Sequence, residues 1–161
     1  TSPEEYGGYY AWGEISTKST YEWGNYLYRD CESIFSSIVD TEYDVARFVW
    51  GNGARMPSLY DALELIQHCE WKNSSYNGIS GKVAVGPNGN SIFFPNSGIM
   101  VEDFHSPDGG QFWTGTPAVS EDEVIPNDIV YGAYRLDVTN VECGIYWGRD
   151  IGLPIRPVKD K

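Results

Sequence analysis

Hydrophobic and polar positions change period along the chain, and the changes mark out its elements. The clearest is helical. Leu59, Ala62, Leu63, Ile66 and Cys69 recur at spacings of three and four, which lines one face of a helix. Ser58 stands where an N-cap belongs, and Asp61 falls at the third helical position, where a carboxylate favours unpaired N–H groups. Pro57 keeps Met56 extended just before the cap. The spacing therefore predicts a helix over residues 58–69. A shorter stripe of Val45, Phe48 and Val49 predicts another within residues 40–50, stopped by Gly51. After Trp71 the period becomes two. Val83 and Val85 alternate, Pro87-Asn88-Gly89-Asn90 makes a turn, and Ile92 and Phe94 continue the alternation to Pro95. Strand-like runs recur at residues 112–114, 129–138, 144–147 and 155–158, with turn-rich loops at 101–110 and 117–128. Helices first and strands after, without alternation, predict an α+β fold with an antiparallel sheet in one domain, residues 1–161.

The first 30 residues are Gly-rich and aromatic without a sustained period, which reads as irregular structure with short strands around residues 9–12. Over the whole chain, 12 Tyr and 6 Trp accompany 18 Gly, a mixture suited to loop-heavy structure whose rings are partly buried and partly offered to a ligand. A net charge of -12 repels nucleic-acid phosphates and anionic lipid, so neither is an expected partner. No apolar run approaches the roughly 20 residues that span a bilayer, so this domain is not expected to insert into a membrane. The chain starts at Thr1 without Met or signal peptide, as a processed or excised piece would. Cys31, Cys69 and Cys143 are odd in number, widely spaced and without a C-x-x-C pair, which disfavours zinc. One disulfide with a free thiol and three buried thiols both fit that count, and Cys69 falls on the inner helix face.

Four segments, taken in order, resemble a known pattern: EYGGYYAWGE, ARMPSLYDALELIQHCEW, GPNGNSIFFPNSG with FWTGTP, and GLPIRPV. They are similar to the Fibrobacter succinogenes major paralogous domain family, common among surface proteins of gut Bacteroidetes. That family is related to the C-type lectin-like fold of formylglycine-generating enzymes and of the variable proteins of diversity-generating retroelements. The resemblance implies a small twisted antiparallel sheet flanked by two helices, with long loops presenting a binding face. It also implies that Arg55, Pro57, Arg156 and Pro157 belong to the scaffold. Family members carry a further strand and a Cys upstream of the point where this chain begins, so the likeness implies a missing upstream strand. An outer-membrane or extracellular location, with a lipid anchor outside this chain, is implied likewise.

Catalytic chemistry finds little support. His68 and His105 are the only histidines; His68 is read as structural, and adjacent Cys69 points about 100° away from it on a helix. The cysteine pair of the formylglycine-generating relatives has no counterpart, because Cys143 stands alone near the C-terminus. Acidic stretches at Glu102, Asp103 and Asp108, and at Glu121, Asp122, Glu123 and Asp128, have oxygen ligands that suit calcium. Ile125 replaces the carboxylate or amide that a calcium-lectin motif needs before Pro126, and no D-x-D-x-D-G loop is present. No metal or cofactor is expected. In the related variable proteins the binding surface lies between a W-x-x-T motif and the terminal R-P-V, here from Trp113 to Arg156. Tyr131, Tyr134, Arg135, Tyr146, Trp147 and Arg149 are the candidate ligand residues of that stretch, whereas Trp113 is read as core. Alternation puts Tyr131 and Tyr134 on opposite faces unless Gly132 makes a bulge. The expected function is a non-enzymatic surface module binding a glycan or protein ligand, as a monomer or within a larger chain. An assembly domain is the alternative, and a formylglycine-generating-like or glycan-processing enzyme a second.

Overall fold

The computed structural model describes residues 2–30, 34–121 and 129–159. They form a strand-rich fold of small antiparallel sheets with two α-helices. Helix α1 (Val45–Val49) starts at Asp44, whose carboxylate accepts the Ala46 N–H at 2.9 Å and the Met56 N–H at 3.1 and 2.9 Å. This anchor, rather than the Val45–Phe48–Val49 spacing, decides which side faces inward. Val45 and Ala46 are buried, and Phe48 and Val49 stand exposed, contrary to the expected stripe. Strand β1 (Ala54–Arg55) leads to α2 (Leu59–His68), which opens on a capping box: Ser58 Oγ accepts the Asp61 N–H, and Asp61 accepts the Ser58 N–H. Its inner side is Ala62, Leu65 and Ile66, continued by Cys69 at the cap.

The strands that follow are β2 (Glu70–Tyr76), β3 (Ile79–Val85), β4 (Ser91–Pro95), β5 (Ile99–Val101), β6 (Phe104–Ser106), β7 (Gln111–Glu121), β8 (Ile129–Asp137), β9 (Glu142–Tyr146) and β10 (Val158–Lys159). They pair as β2-β3-β4, β5-β6, β7-β8-β9 and β1-β10, every pair antiparallel. β2 has no hydrophobic alternation because almost all of it is exposed. Its pairing is set by the two-residue turn Asn77-Gly78, with φ of 49° and 82°, the doubly left-handed geometry of a type I′ hairpin. The β3–β4 register corrects the predicted stripe. Val83 lies opposite Phe93 and Ala84 opposite Ile92, so Val83 and Val85 face the other way from Ile92 and Phe94. The core side is the Ala84 and Phe94 side. Residues 101–110 are not a plain loop but include the β5–β6 hairpin, and 117–121 extend β7; residues 122–128 lie outside the described residues. Ile155 is buried without strand pairing, and around residues 9–12 the strand content is one bridge, Tyr10 to Leu153.

β7 and β8 lie between a pair of cores. Trp113 and Ala133 point into one with Trp12, Ile38, Met56 and Leu153. Their neighbours Phe112 and Leu136 point into the other, under α2, with Phe94 and Val138. The irregular N-terminal segment is tied to the sheet by a reciprocal pair: the Trp12 indole donates to Thr114 O at 2.8 Å and the Trp113 indole to Tyr10 O at 2.9 Å. Arg55 pairs with Asp61 at 2.8 Å, and Arg156 donates to Pro3 O at 2.7 Å.

Candidate functional site

The β8–β9 register sorts the candidate residues into two faces. Tyr134 lies opposite Ile145 and Ala133 opposite Tyr146, and the register shift falls on β7 between Trp113 and Pro117, not at Gly132. Tyr131 and Tyr134 therefore point to opposite sides. On one side, Gly132, Tyr134, Ile145 and Trp147 continue the row of Leu136 and Cys143 beyond the stretch packed in the core under α2. Trp147 rests directly on Gly132: a Cβ there would meet Trp147 Cε3 at 2.8 Å, Ile145 Cγ2 at 2.9 Å and Tyr146 O at 2.7 Å. Trp147 is 44 % exposed and Ile145 37 %, and Tyr134 is half-buried beside them. The result is a low aromatic and aliphatic platform with its rim held in place by a glycine.

The other side is occupied by the protein itself. Tyr146 meets Trp113 edge-on, with ring centroids 6.4 Å apart, and the Arg135 guanidinium lies 5.7 Å from the Tyr146 ring. Arg135 also crosses Gly144, where a Cβ would sit 2.6 Å from its Nη1, and approaches Asp137 at 4.0 Å. Tyr131 packs against the cluster of Ala11, Tyr21 and Tyr26. Arg149 corrects the sequence reading outright: it is fully buried. Its Nε donates to Gly132 O at 2.8 Å and its Nη1 to Ile34 O at 2.9 Å, and its guanidinium carbon lies 4.3 Å from the Trp12 ring centroid and 5.7 Å from that of Tyr131. Its flanking aromatics serve its own burial rather than a ligand.

Ile145 is the member that the sequence did not single out, and Gly132 was weighed there only as a bulge, not as the support of Trp147. Period-two alternation from Tyr134 across the strand pair was the available signal, but it needs the register before it can pick Ile145. Potential reactive groups are committed elsewhere. His105 Nε2 lies 2.8 Å from Ser97 O, which requires that nitrogen to carry a proton, and 3.0 Å from the Tyr9 hydroxyl, which itself donates to Ser97 O. Burial, with Tyr6 and Tyr21 nearby, pushes the Tyr9 phenol up to about 12. Burial, then the Glu142 charge, pushes the Cys143 thiol up to about 11, which keeps it out of the thiolate form at neutral pH. His68 is exposed in the last turn of α2. Cys69 and Cys143 are free thiols, and Cys31 lies outside the described residues. Among the described residues no group of three His, Cys, Asp or Glu side chains is gathered to hold a metal; Asp122, Glu123 and Asp128 lie outside them. No helix among the described residues is long and apolar enough to cross a membrane. Comparison of the chain with protein-family models, curated proteins and solved structures found no match.

Proposed function

We propose that this chain is a non-enzymatic binding module of C-type lectin-like architecture, displayed on the outer surface of a bacterial cell. Its ligand is a glycan or a protein, held on the platform of Tyr134, Ile145 and Trp147. The observation that carries the reading is the half-exposed Trp147 indole seated on Gly132 with Ile145 alongside. An indole held from below presents one face at little further entropy cost, which is what stacking on a sugar ring or anchoring a protein hot spot needs. The commitment of His105 and the protonated Cys143 to packing supports a binding role over a catalytic one.

The test is a glycan and mucin array probed with the intact chain and with Trp147→Ala, each in calcium and in chelator. The reading expects calcium-independent binding that the substitution removes. Binding lost on chelation would instead place the ligand on the acidic stretches. A second reading, an assembly domain, draws on the exposed Leu27, Phe35 and Phe104, at 72 %, 65 % and 66 %. It expects an empty array and concentration-dependent association.

A further inference from the structure

Further along the same face of β8, and lined by none of Tyr134, Ile145 and Trp147, a cleft of about 110 Å³ opens between α2, β4, β7 and the segment before β10. Ala62, Leu65, Phe94, Phe112 and Pro157 make its walls, and Ile92, an aliphatic side chain left 39 % exposed, stands at its side. For scale, an apolar protein cavity of about 150 Å³ stays dry and takes up benzene. This one suits a branched chain of about four or five carbons.

Two charged side chains complete the lining, and they differ in what they have left to give. Asp61 is spent: Arg55 donates to it at 2.8 and 3.3 Å, and Ser58 donates both its N–H and its hydroxyl at 2.7 Å. Arg156 is not. Its Nη2 donates to Pro3 O and Glu5 O at 2.7 and 3.2 Å, but its Nε is shielded from solvent and finds no acceptor among the described residues. Its guanidinium carbon stands 5.8 Å from the centroid of Phe112, a wall of the cleft, so the charge borders the apolar space. A guanidinium met by two backbone carbonyls and by no carboxylate among the described residues, beside a hydrocarbon-sized slot, calls for a ligand with an apolar body and an anionic head.

We propose that this cleft binds a short aliphatic carboxylate, its hydrocarbon between α2 and Phe112 and its carboxylate on the Arg156 guanidinium. That chemistry is shared by free short-chain acids and by the C-terminal residue of a peptide ending in a branched aliphatic side chain. Trp147 is not among the residues that line the site, so its occupancy does not depend on the reading of the platform.

The intact isotope-labelled chain is titrated with isovalerate, with isovaleramide and with N-acetyl-Ala-Ala-Leu as the free acid, following methyl and backbone resonances by NMR. Saturable shifts are expected at Ala62, Leu65, Ile92 and Leu136, with the Trp147 indole unmoved. Isovaleramide should bind about ten-fold or more weakly than isovalerate, the loss of one charge-assisted hydrogen bond. Arg156→Gln should weaken isovalerate by a similar factor; if that variant fails to fold because Pro3 is released, the acid–amide comparison on the unaltered chain decides alone. Tighter binding of the free acid identifies a small metabolite as the source, and tighter binding of the tripeptide a chain end; either supports the site. No saturable shift at the cleft, or equal affinity for acid and amide, overturns the proposal.

Discussion

Replacing Arg149 by Ala should unfold the protein more easily rather than impair a ligand site. The guanidinium donates to Gly132 O and Ile34 O, at 2.8 and 2.9 Å, from a fully buried position, and covers the Trp12 ring at 4.3 Å. Truncation leaves two buried carbonyls without those donors, at about 1–3 kcal/mol each. It also removes a desolvated cation–π contact of about 2 kcal/mol and leaves a space that the core only partly refills. The solvation that a buried guanidinium gives up on folding offsets some of this. We expect a net loss of about 4 kcal/mol for Arg149→Ala and about 2 kcal/mol for Arg149→Lys, which keeps the charge but not the fork. Urea unfolding measures it directly: the midpoint should fall while the m-value stays constant, and Tm should drop by about 10 °C or more for Ala. A loss below about 1 kcal/mol would refute the structural role of Arg149. That result, together with abolished ligand binding, would return Arg149 to a ligand-facing role.

Asp44→Ala should cost about 3 kcal/mol or more in the same assay, because the carboxylate accepts from the N–H groups of Asp40, Ala46 and Met56 in a fully buried position. Gly132→Ala should cost about 1–3 kcal/mol and displace the Trp147 ring, read as a changed near-ultraviolet circular dichroism spectrum, since the new Cβ meets Trp147 and Ile145 below 3.0 Å. At Asp61, burial works to raise the pKa, but hydrogen bonds from Arg55 and Ser58 and the Arg55 charge outweigh it and hold the carboxyl at about 2, below 3.8. A depressed carboxylate stabilises the fold above its unfolded pKa, and that contribution fades as pH falls from about 4 to about 2. The side chain is 28 % exposed and partly screened, so the contribution lost is about 1 kcal/mol, and Asp61→Asn should flatten this region of the stability–pH curve.

What could be read from the sequence was what local chemistry dictates. Ser58 and Asp61 carry the start of α2 in their own side chains, and the turn around Asn88-Gly89 needs no partner to be recognised. What could not be read depended on contacts made at long range. Glu70–Tyr76 is a strand because Asn77-Gly78 folds it back onto β3, and its exposed positions leave no alternation to detect. α1 turns Val45 and Ala46 inward because Asp44 reaches Met56, not because its apolar residues are spaced for it. Val83 and Ile92 look like one stripe until the register puts them on opposite faces. The candidate site failed for a related reason at Arg149: an arginine among aromatic and Gly residues looks alike whether the rings it meets belong to a ligand or, as here, to Trp12 and Tyr131. Trp147 stood among the sequence candidates no differently from Tyr146, which packs on Trp113; the β8–β9 pairing separates the two and brings in Ile145 and the supporting Gly132.

The most direct test of the binding face is the indole N–H spectrum of the six tryptophans, with the Trp147 signal identified from Trp147→Phe, on addition of whichever glycan or protein the array selects. The Trp147 resonance should shift saturably while those of the buried Trp12 and Trp113 stay in place. A ligand that binds and saturates without moving the Trp147 signal would contradict it.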